Sequence, residues 1–300
     1  MHYTMAINTI AIYGRPVSVN ALVALRGLFD LLRGHGFDLL VHNDFAEHLH
    51  LQHGYTVPME GVFGASDELR HRAQLVLSLG GDGTFLSAAS LAGPAQIPVM
   101  GINFGNLGFL ANVSQADMSQ AVEMLVRGRY RVEPRSLLEV QSGDGLFAPF
   151  PYGLNDFSVQ KGAAAAMVSV TAYVNGEQLC TYRADGLIVA TPTGSTAYSL
   201  AAGGPIMTPS MAAFVLSPVA PHTLTFRPLV LPDSTELRLE VESRSRQVLL
   251  TLDSRHLTRP APLSIIIRRA PFNLGVVCVE EASFFKSLRG KLFWGADKRD

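Results

Sequence analysis

The sequence predicts two domains, an α/β amino-terminal domain with a doubly wound parallel sheet and an all-β carboxyl-terminal domain. Strand and helix patterns alternate over residues 1–133, which is typical of a parallel sheet with crossover helices. Short alternating or β-branched runs, separated by turn signals, fill residues 134–272. Residues 273–300 form an amphipathic tail that needs a surface to cover, and we expect it to return to the first domain.

The amino-terminal domain begins with an apolar strand pattern followed by a helix. Apolar residues at helical spacing mark this helix at 19–33, and Ser18 precedes it as the expected N-cap. The predicted strands are 8–13, 37–41, 75–79 and 97–102, and the later helices are a short one from Asn43, one over 84–91, and one over 115–127 capped by Ser114.

The carboxyl-terminal domain contains a strong hairpin signal at Asn175-Gly176, between two strand-like runs. The runs that predict strands are 137–141, 168–174, 187–191, 235–242, 248–252 and 263–268. Apolar segments at 214–216 and 229–231 exceed what one small sheet needs to bury. We therefore expect some of them to pack against another subunit.

Composition excludes several classes of partner. Apolar residues make up 48% and charged residues 16%, and the formal net charge is -1. These values predict a globular protein that binds neither nucleic acid nor a membrane surface. No apolar run has the length of a membrane span, and the start lacks the pattern of a signal peptide, so we expect a cytoplasmic protein.

Cysteine and histidine usage gives little support for a metal centre. The two cysteines, Cys180 and Cys278, are too far apart in sequence to form a recognisable metal or disulfide framework. His50 and His53 are three residues apart on a predicted helix, and they would form a metal pair only with a third ligand. A polar helix face is the favoured interpretation.

A glycine-rich turn follows the apolar strand at 75–79. Gly80, Gly81 and Gly83 lie between this strand and a helix, where open α/β sheets bind ligands. Glycine allows close approach of the backbone, and the helix start offers N–H groups to phosphate oxygens. Asp82 within the turn would repel a phosphate unless it takes a proton or works with a metal. The alternative is a tight turn with an incidental aspartate.

Two stretches of the second domain also carry polar groups suited to ligands. Asn155-Asp156 stands at a strand start, where an amide and a carboxylate can bind a ribose or a base edge, although a simple turn is the alternative. Arg183 and Asp185 form an expected ionised pair before a strand. A loop dense in hydroxyl groups and glycine, residues 191–205, follows that strand.

These stretches together resemble bacterial NAD kinases. The double-glycine turn alone is shared with lipid kinases and phosphofructokinases, whereas TPTGSTAY combined with GNLGF is far more specific. The matching segments cover about residues 8–295 in the family's order and are 80–84 (GGDGT), 101–110 (GINFGNLGFL), 155–156 (ND), 183–186 (RADG), 191–198 (TPTGSTAY), 203–205 (GGP), 221–224 (PHTL) and 227–230 (RPLV).

The resemblance implies transfer of the γ-phosphoryl group of ATP to the 2′-hydroxyl of the adenosine ribose of NAD, giving NADP. It also implies a Rossmann-like α/β domain, a β-rich domain, an active site to which both contribute, and a homo-oligomer, either a dimer or a tetramer. No Gly-x-x-x-x-Gly-Lys-Ser/Thr run is present, so the glycine turn would replace a P-loop. Mg²⁺ would be held mainly by ATP, without direct protein ligands.

Individual roles are carried over by similarity. Asp82 is expected to be the general base that deprotonates the 2′-hydroxyl. Asn155 and Asp156 would hold the adenosine, with Asp156 accepting from the ribose, while Arg183 would lie near the phosphates and Asp185 would line the NAD pocket. The other expected contacts to NAD or ATP are Gly80, Gly81, Gly83, Thr193, Thr196, Ala197, Tyr198, Ser199, Leu200 and Ala201, with Phe85, Ala166 and Arg255 as further candidates.

The chain departs from the family pattern at three places. Asp156 stands where many relatives have Glu, which shortens the side chain and keeps its acceptor role. Four alanines at 163–166 replace a polar or basic side chain, so any contact there must come from the backbone. Arg255 stands where relatives often have Gln, and it would either bring a cation to a phosphate or face solvent.

Two rival functions are a diacylglycerol-type lipid kinase and a non-catalytic dinucleotide sensor. The lipid enzymes carry a Gly-Thr-Gly-Asn-Asp-like run where this chain has the sequence NFGNLG at 103–108. A pure sensor gains nothing from Asp82 beside the phosphates. The NAD kinase interpretation is therefore favoured over both.

Overall fold

The computed structural model describes residues 7–105, 108–162, 167–279 and 283–292. The chain divides into two compact units, residues 1–134 with 274–300, and residues 135–273. None of the helices within the described ranges combines the length and the apolar character needed to cross a membrane.

The first unit is built on a parallel sheet. Its strands are β1 (Thr9–Gly14), β2 (Asp38–His42), β3 (Gly61–Phe63), β4 (Leu75–Leu79), β5 (Val99–Asn103) and β6 (Val113–Ser114). Parallel pairing gives the order β3-β2-β1-β4-β5, so the fully buried β4 lies inside the sheet, between β1 and β5. The end of the long strand Leu263–Val279 is parallel to β5 and extends this sheet.

Helices of the first unit bury one apolar face each. They are α1 (Val19–Gly34), α2 (Asn43–His53), α3 (Asp82–Ala95), α4 (Met118–Val126) and a carboxyl-terminal helix (Phe284–Leu292). Leu25, Leu28, Phe29 and Leu32 of α1 are fully buried, as their helical spacing predicts. The helix α3 follows β4 directly, so its amino terminus lies at the carboxyl end of that strand.

The second unit consists of antiparallel β-structure in two sheets. Its elements are β7 (Tyr130–Gln141, which begins in the first unit), β8 (Tyr152–Gly153), β9 (Asp156–Lys161), β10 (Val168–Val174), β11 (Glu177–Ala184), β12 (Gly186–Ala190), a 3₁₀ helix (Thr193–Thr196), α5 (Tyr198–Ala201), β13 (Ala213–Val219), β14 (Leu229–Pro232), β15 (Leu237–Ser243), β16 (Gln247–Leu252), β17 (Arg255–Pro260) and β18 (Leu263–Val279). One sheet has the order β11-β10-β15-β18, and the other has β14-β13-β12-β9-β16-β17.

The predicted fold class is confirmed by this architecture, and the hairpin at Asn175-Gly176 joins β10 to β11 as expected. One predicted helix is wrong at its start. Residues 113–114 pair with β5 as a short strand, so α4 begins at Met118 with Asp117 at its N-cap, and Ser114 does not cap it. The Ser114 hydroxyl instead donates to the Asp117 carboxylate at 2.7 Å.

Candidate active site

The glycine turn of the first unit joins β4 to α3. The Gly80 N–H donates to the Ile102 carbonyl at 2.9 Å, which anchors the turn to the neighbouring strand β5. Gly81 is the N-cap of α3, and no described side chain caps the helix. Because the first N–H groups of a helix have no intrahelical partner, the turn presents backbone donors at the sheet edge where the sequence predicts phosphate binding.

The Asp82 carboxylate is fixed by a second loop of the same unit. Its Oδ2 accepts from the Phe109 N–H at 2.9 Å, and its Oδ1 accepts from the N–H groups of Leu110 at 3.1 Å and Ala111 at 3.0 Å. A carboxylate has about four acceptor positions. The described residues fill three of them, so one position on Oδ2 is left for a further donor.

Gly108 is required by this arrangement. A Cβ atom at Gly108 would lie 1.8 Å from the Asp82 Oδ1 atom, which is far inside a van der Waals contact. Any larger residue at this position must displace either the carboxylate or the loop.

The Gly108→Ala variant is therefore expected to lose about 1–3 kcal/mol of unfolding free energy, which is the usual range for overpacking. Chemical denaturation measures this loss. The matched control is Gly105→Ala, because the nearest described atom to a Cβ there is the Asn103 Oδ1 atom at 3.6 Å, an ordinary contact distance. Equal stabilities for the two variants would contradict the tight fit of Asp82.

Residues 154–156 form the polar turn of the second unit, and two other segments hold it. On one side, Asp253 in the turn between β16 and β17 accepts from the N–H groups of Leu154 at 2.8 Å, Asn155 at 2.8 Å and Asp156 at 3.3 Å. On the other side, the Thr191 hydroxyl donates to the Leu154 carbonyl at 2.5 Å, and the Thr191 N–H donates to the Asn155 carbonyl at 2.9 Å.

Asn155 and Asp156 are both buried, with exposed fractions of 9% and 6%. The Asn155 Oδ1 atom has no hydrogen-bond partner among the described residues, so it can accept a hydrogen bond from a ligand. Burial, reinforced by the nearby Asp253 carboxylate, raises the pKa of Asp156 to about 7. Asp156 therefore changes its charge near neutral pH.

The loop after β12 continues from this turn. Its backbone lies against Asn155 so closely that a Cβ at Gly194 would be 2.0 Å from the Asn155 carbonyl oxygen. Thr193 and Ser199 are buried, and the Ser199 hydroxyl bonds that of Ser217 at 2.8 Å. Tyr198 is 38% exposed, which leaves its ring available to a ligand.

Arg183 and Asp185 do not pair with each other, which corrects the expectation of an ionised pair. Asp185 instead forms an ion pair with Lys161 of the neighbouring strand β9, at 2.8 Å. Arg183 lines a cavity of about 1060 Å³ together with Arg244 and Arg246. Glu242 also lines the cavity, so three guanidinium groups outnumber one carboxylate there, which favours an anionic ligand. The other predicted site residues of the described second unit do not line it.

The further candidates have different positions. Phe85 is fully buried, and its ring packs against Gly101 in the core of the first unit. The Arg255 guanidinium donates to the carbonyls of Phe150 and Tyr152, so its hydrogen bonds go to the protein backbone. Ala166 lies outside the described residues.

Sequence reasoning missed the groups that hold the two predicted site aspartates, Asp82 and Asp156, in place. The N–H groups of residues 109–111 hold Asp82, and Asp253 holds residues 154–156. Asp253 lies in a short turn after a strand pattern, and an aspartate there is a recognisable signal of a tight turn. Aspartate tolerates the left-handed backbone seen at this position, where φ is 54°. Phe109 and Leu110 lie in the segment 101–110 that carries the family resemblance, but nothing local in it indicates that its N–H groups hold Asp82.

The histidines of α2 do not form a metal site with one another. His53 Nε2 lies 3.2 Å from the Val17 carbonyl oxygen, and His50 Nδ1 lies 3.3 Å from the Thr56 hydroxyl. Across the described ranges, no group of three or more His, Cys, Asp or Glu residues is arranged to hold a metal ion.

The first unit has a glycine turn with a fixed carboxylate at the end of a parallel strand, and the second has a polar loop; both are features expected of a phosphotransferase that binds nucleotides without a P-loop. Comparisons with known proteins make this specific. Residues 10–130 match the family profile described as "ATP-NAD kinase N-terminal domain", and residues 154–278 match "ATP-NAD kinase C-terminal domain". The chain belongs to the NAD kinase family.

Curated relatives are similar in sequence to this chain over nearly its full length. The chain is 42% identical to an NAD kinase of Bacteroides fragilis over 289 residues, which cover 96% of this chain and 99% of the relative. It is also 42% identical to an NAD kinase of Porphyromonas gingivalis over 290 residues, which cover 97% and 99%. The predicted family is thus confirmed.

Solved structures show the same fold. A yeast NADH kinase complexed with NADH superposes with a TM-score of 0.85 at 26% identity, covering 98% of this chain and 89% of that one. An NAD kinase from Archaeoglobus fulgidus in complex with ATP has a TM-score of 0.70 at 23% identity, covering 95% and 98%, and supports the fold alone.

Proposed function

We propose that this chain transfers the γ-phosphoryl group of ATP to the 2′-hydroxyl of the adenosine ribose of NAD. The observation that carries the proposal is the Asp82 carboxylate, which three backbone N–H groups fix at the start of α3 with one acceptor position left on Oδ2. That position can receive the proton of an attacking hydroxyl. General-base catalysis requires such a fixed acceptor within hydrogen-bond reach of the nucleophile.

The glycine turn is the proposed phosphate site. Gly80, Gly81 and Gly83 have no side chains to block access, and the unpaired N–H groups at the start of α3 suit phosphate oxygens. Because the turn contains no lysine, the protein supplies hydrogen bonds there and little charge.

Mg²⁺ is proposed to enter with ATP. With no preformed three-ligand metal cluster in the described residues, the triphosphate oxygens would supply most of its ligands. When bound, the ion would neutralise part of the triphosphate charge, on which phosphoryl transfer depends.

Asn155 and Asp156 are the proposed acceptor-binding residues. The partnerless Oδ1 atom of Asn155 suits an amino or hydroxyl donor of the adenosine, and an ionised Asp156 accepts from a ribose hydroxyl. The loop from Thr193 to Ala201 would form the wall against the adenine, with Tyr198 stacking on the base. Arg183 and the arginines of its cavity would attract the negative phosphates, and Asp185 would line the NAD pocket.

Incubation with NAD, ATP and Mg²⁺ is expected to yield NADP, and excess chelator is expected to stop the reaction until Mg²⁺ is restored. Chromatographic product analysis measures both. Full activity in chelator would contradict the metal dependence. Phosphorylation of diacylglycerol but not of NAD would establish the lipid kinase alternative, and NAD binding without any product would establish the sensor.

We also propose a cytoplasmic homo-oligomer, although not through both apolar segments considered above. Phe214, Val215 and Leu216 are fully buried within their own unit, so that segment needs no partner. Val230 of the edge strand β14 is 42% exposed and remains a candidate contact. Light scattering at micromolar concentration is expected to give a mass well above the 32.4 kDa of one chain. A monomer would contradict the proposal.

A further inference from the structure

Asp253, in the turn between β16 and β17, holds residues 154–156 through both its side chain and its main chain. The Asp253 carboxylate accepts all three N–H groups of that segment. The Asp253 N–H in turn donates to the Asp156 carbonyl at 2.9 Å. We propose that Asp253 is a positioning residue, which sets the shape of the Asn155–Asp156 segment for the acceptor nucleoside and does not itself bind the substrate.

This inference rests on the proposed role of Asn155 and Asp156, and the geometry explains why an aspartate is needed. Three N–H groups converge on one side chain, and only a carboxylate offers enough acceptor positions for all of them. Without that acceptor, buried N–H groups would be left unpaired, which is costly. The segment would then shift to regain partners, and it would carry the Asn155 and Asp156 side chains with it.

The arrangement also places two carboxylates, those of Asp253 and Asp156, close together, which is electrostatically unfavourable when both are ionised. Asp253 lies close enough to Asp156 for its charge to raise the pKa of Asp156, and burial raises the pKa of Asp253 itself. The Arg255 guanidinium beside Asp253 acts in the opposite direction and lowers the pKa of Asp253. Asp253 thus influences both the position and the charge of Asp156.

Two variants separate the carboxylate from the turn that carries it. Asp253→Asn keeps the volume but leaves only one acceptor oxygen and no charge. Asp253→Gly removes every side-chain acceptor, while glycine readily adopts the backbone φ of 54° and retains the N–H bonded to Asp156. Asp144→Asn is the matched control, because it removes the same charge from an exposed loop of the same unit.

Both Asp253 variants are expected to raise KM for NAD about tenfold, with KM for ATP and kcat changed less than about threefold. The pH midpoint of KM for NAD is expected to move to lower pH in both, because the charge that raises the pKa of Asp156 is gone. The control is expected to match the wild type. Steady-state kinetics between about pH 5.5 and about pH 9 provide these measurements, because this range brackets the pKa of about 7 for Asp156.

Amide hydrogen exchange without ligand gives a readout independent of activity. The N–H groups of residues 154–156 are expected to exchange faster in both Asp253 variants than in the control and the wild type. Folded variants with wild-type exchange, KM and pH midpoint would overturn the inference. So would an equal loss of affinity for NAD and ATP, which would indicate general damage. A wild-type enzyme that does not phosphorylate NAD would refute the proposed function, and the exchange data would still show whether Asp253 holds the segment.

Discussion

The Asp82→Asn variant is expected to lower kcat by about 10²–10⁴-fold, which is the usual contribution of a general base. Asparagine has nearly the same size but cannot take a proton from the 2′-hydroxyl. NAD binding is expected to change little, because the proton transfer occurs only in the transition state.

The hydrogen bonds of Asp82 define what the substitution alters. An amide oxygen in the position of Oδ1 keeps the bonds from Leu110 and Ala111. The amide nitrogen then replaces Oδ2, which accepts from Phe109 and carries the remaining acceptor position. The variant therefore loses the catalytic acceptor and one structural hydrogen bond together.

Steady-state kinetics and calorimetric NAD titration measure the two effects, and thermal unfolding monitors the lost bond to Phe109. Asp67→Asn is the matched control, since Asp67 is an exposed aspartate of the same unit. If Asp82→Asn retained a kcat near that of the wild type, Asp82 would not be the base.

Local sequence signals predicted the fold class and the positions of the candidate motifs. The apolar run at Leu75–Leu79 forms the fully buried strand β4, and Asn175-Gly176 forms a hairpin turn, because each is decided within a few residues. The start of α4 was wrong because the pairing of residues 113–114 with β5 overrides the local capping signal.

The hydrogen-bond and ion-pair partners of the aspartates in the candidate site depend on contacts between residues far apart in sequence. Asp82 is held by residues 27 to 29 positions later, and Asp253 holds residues 97 to 99 positions earlier. Asp185 pairs with Lys161, whose N–H also donates to the Asp185 carbonyl at 2.9 Å, so the backbone pairing of two distant segments brings these side chains together. Periodicity and motif spacing within one segment contain no information on such pairings.

Asp156 is expected to act on NAD binding and to make it dependent on pH. The Asp156→Ala variant should raise KM for NAD about ten- to a hundredfold, because a hydrogen bond to a charged acceptor contributes roughly 1.5–3 kcal/mol. The effect on kcat should be smaller, since the ribose is bound in both the ground state and the transition state.

The direction of the pH effect follows from the raised pKa of Asp156, which is about 7. Above that pH the carboxylate is ionised and accepts hydrogen bonds from the ribose. Below it the protonated group loses acceptor capacity, so KM for NAD should rise as the pH falls from 8 to 6, a window taken around that pKa. Asp156→Ala removes this slope and serves as the test of its origin.

Stability should show the opposite dependence on pH. The folded pKa of about 7 exceeds the ordinary value of 3.8, so the folded protein binds more protons between these two values. The unfolding free energy therefore falls as the pH rises through this window. Burial of the ionised form costs at most about 4 kcal/mol, from the shift in pKa.

The Asp156→Asn variant cannot ionise, so it should be more stable than the wild type at pH 8 and close to it below pH 4, two conditions that lie on either side of the window. Denaturation at both pH values, alongside kinetics at pH 8, separates the two roles of the residue. The expected combination is a gain in stability with weaker NAD binding. The ionised Asp156 carboxylate accepts hydrogen bonds from the ribose, but its burial destabilises the fold. A variant that loses stability at pH 8, or that binds NAD as the wild type does, would contradict this assignment.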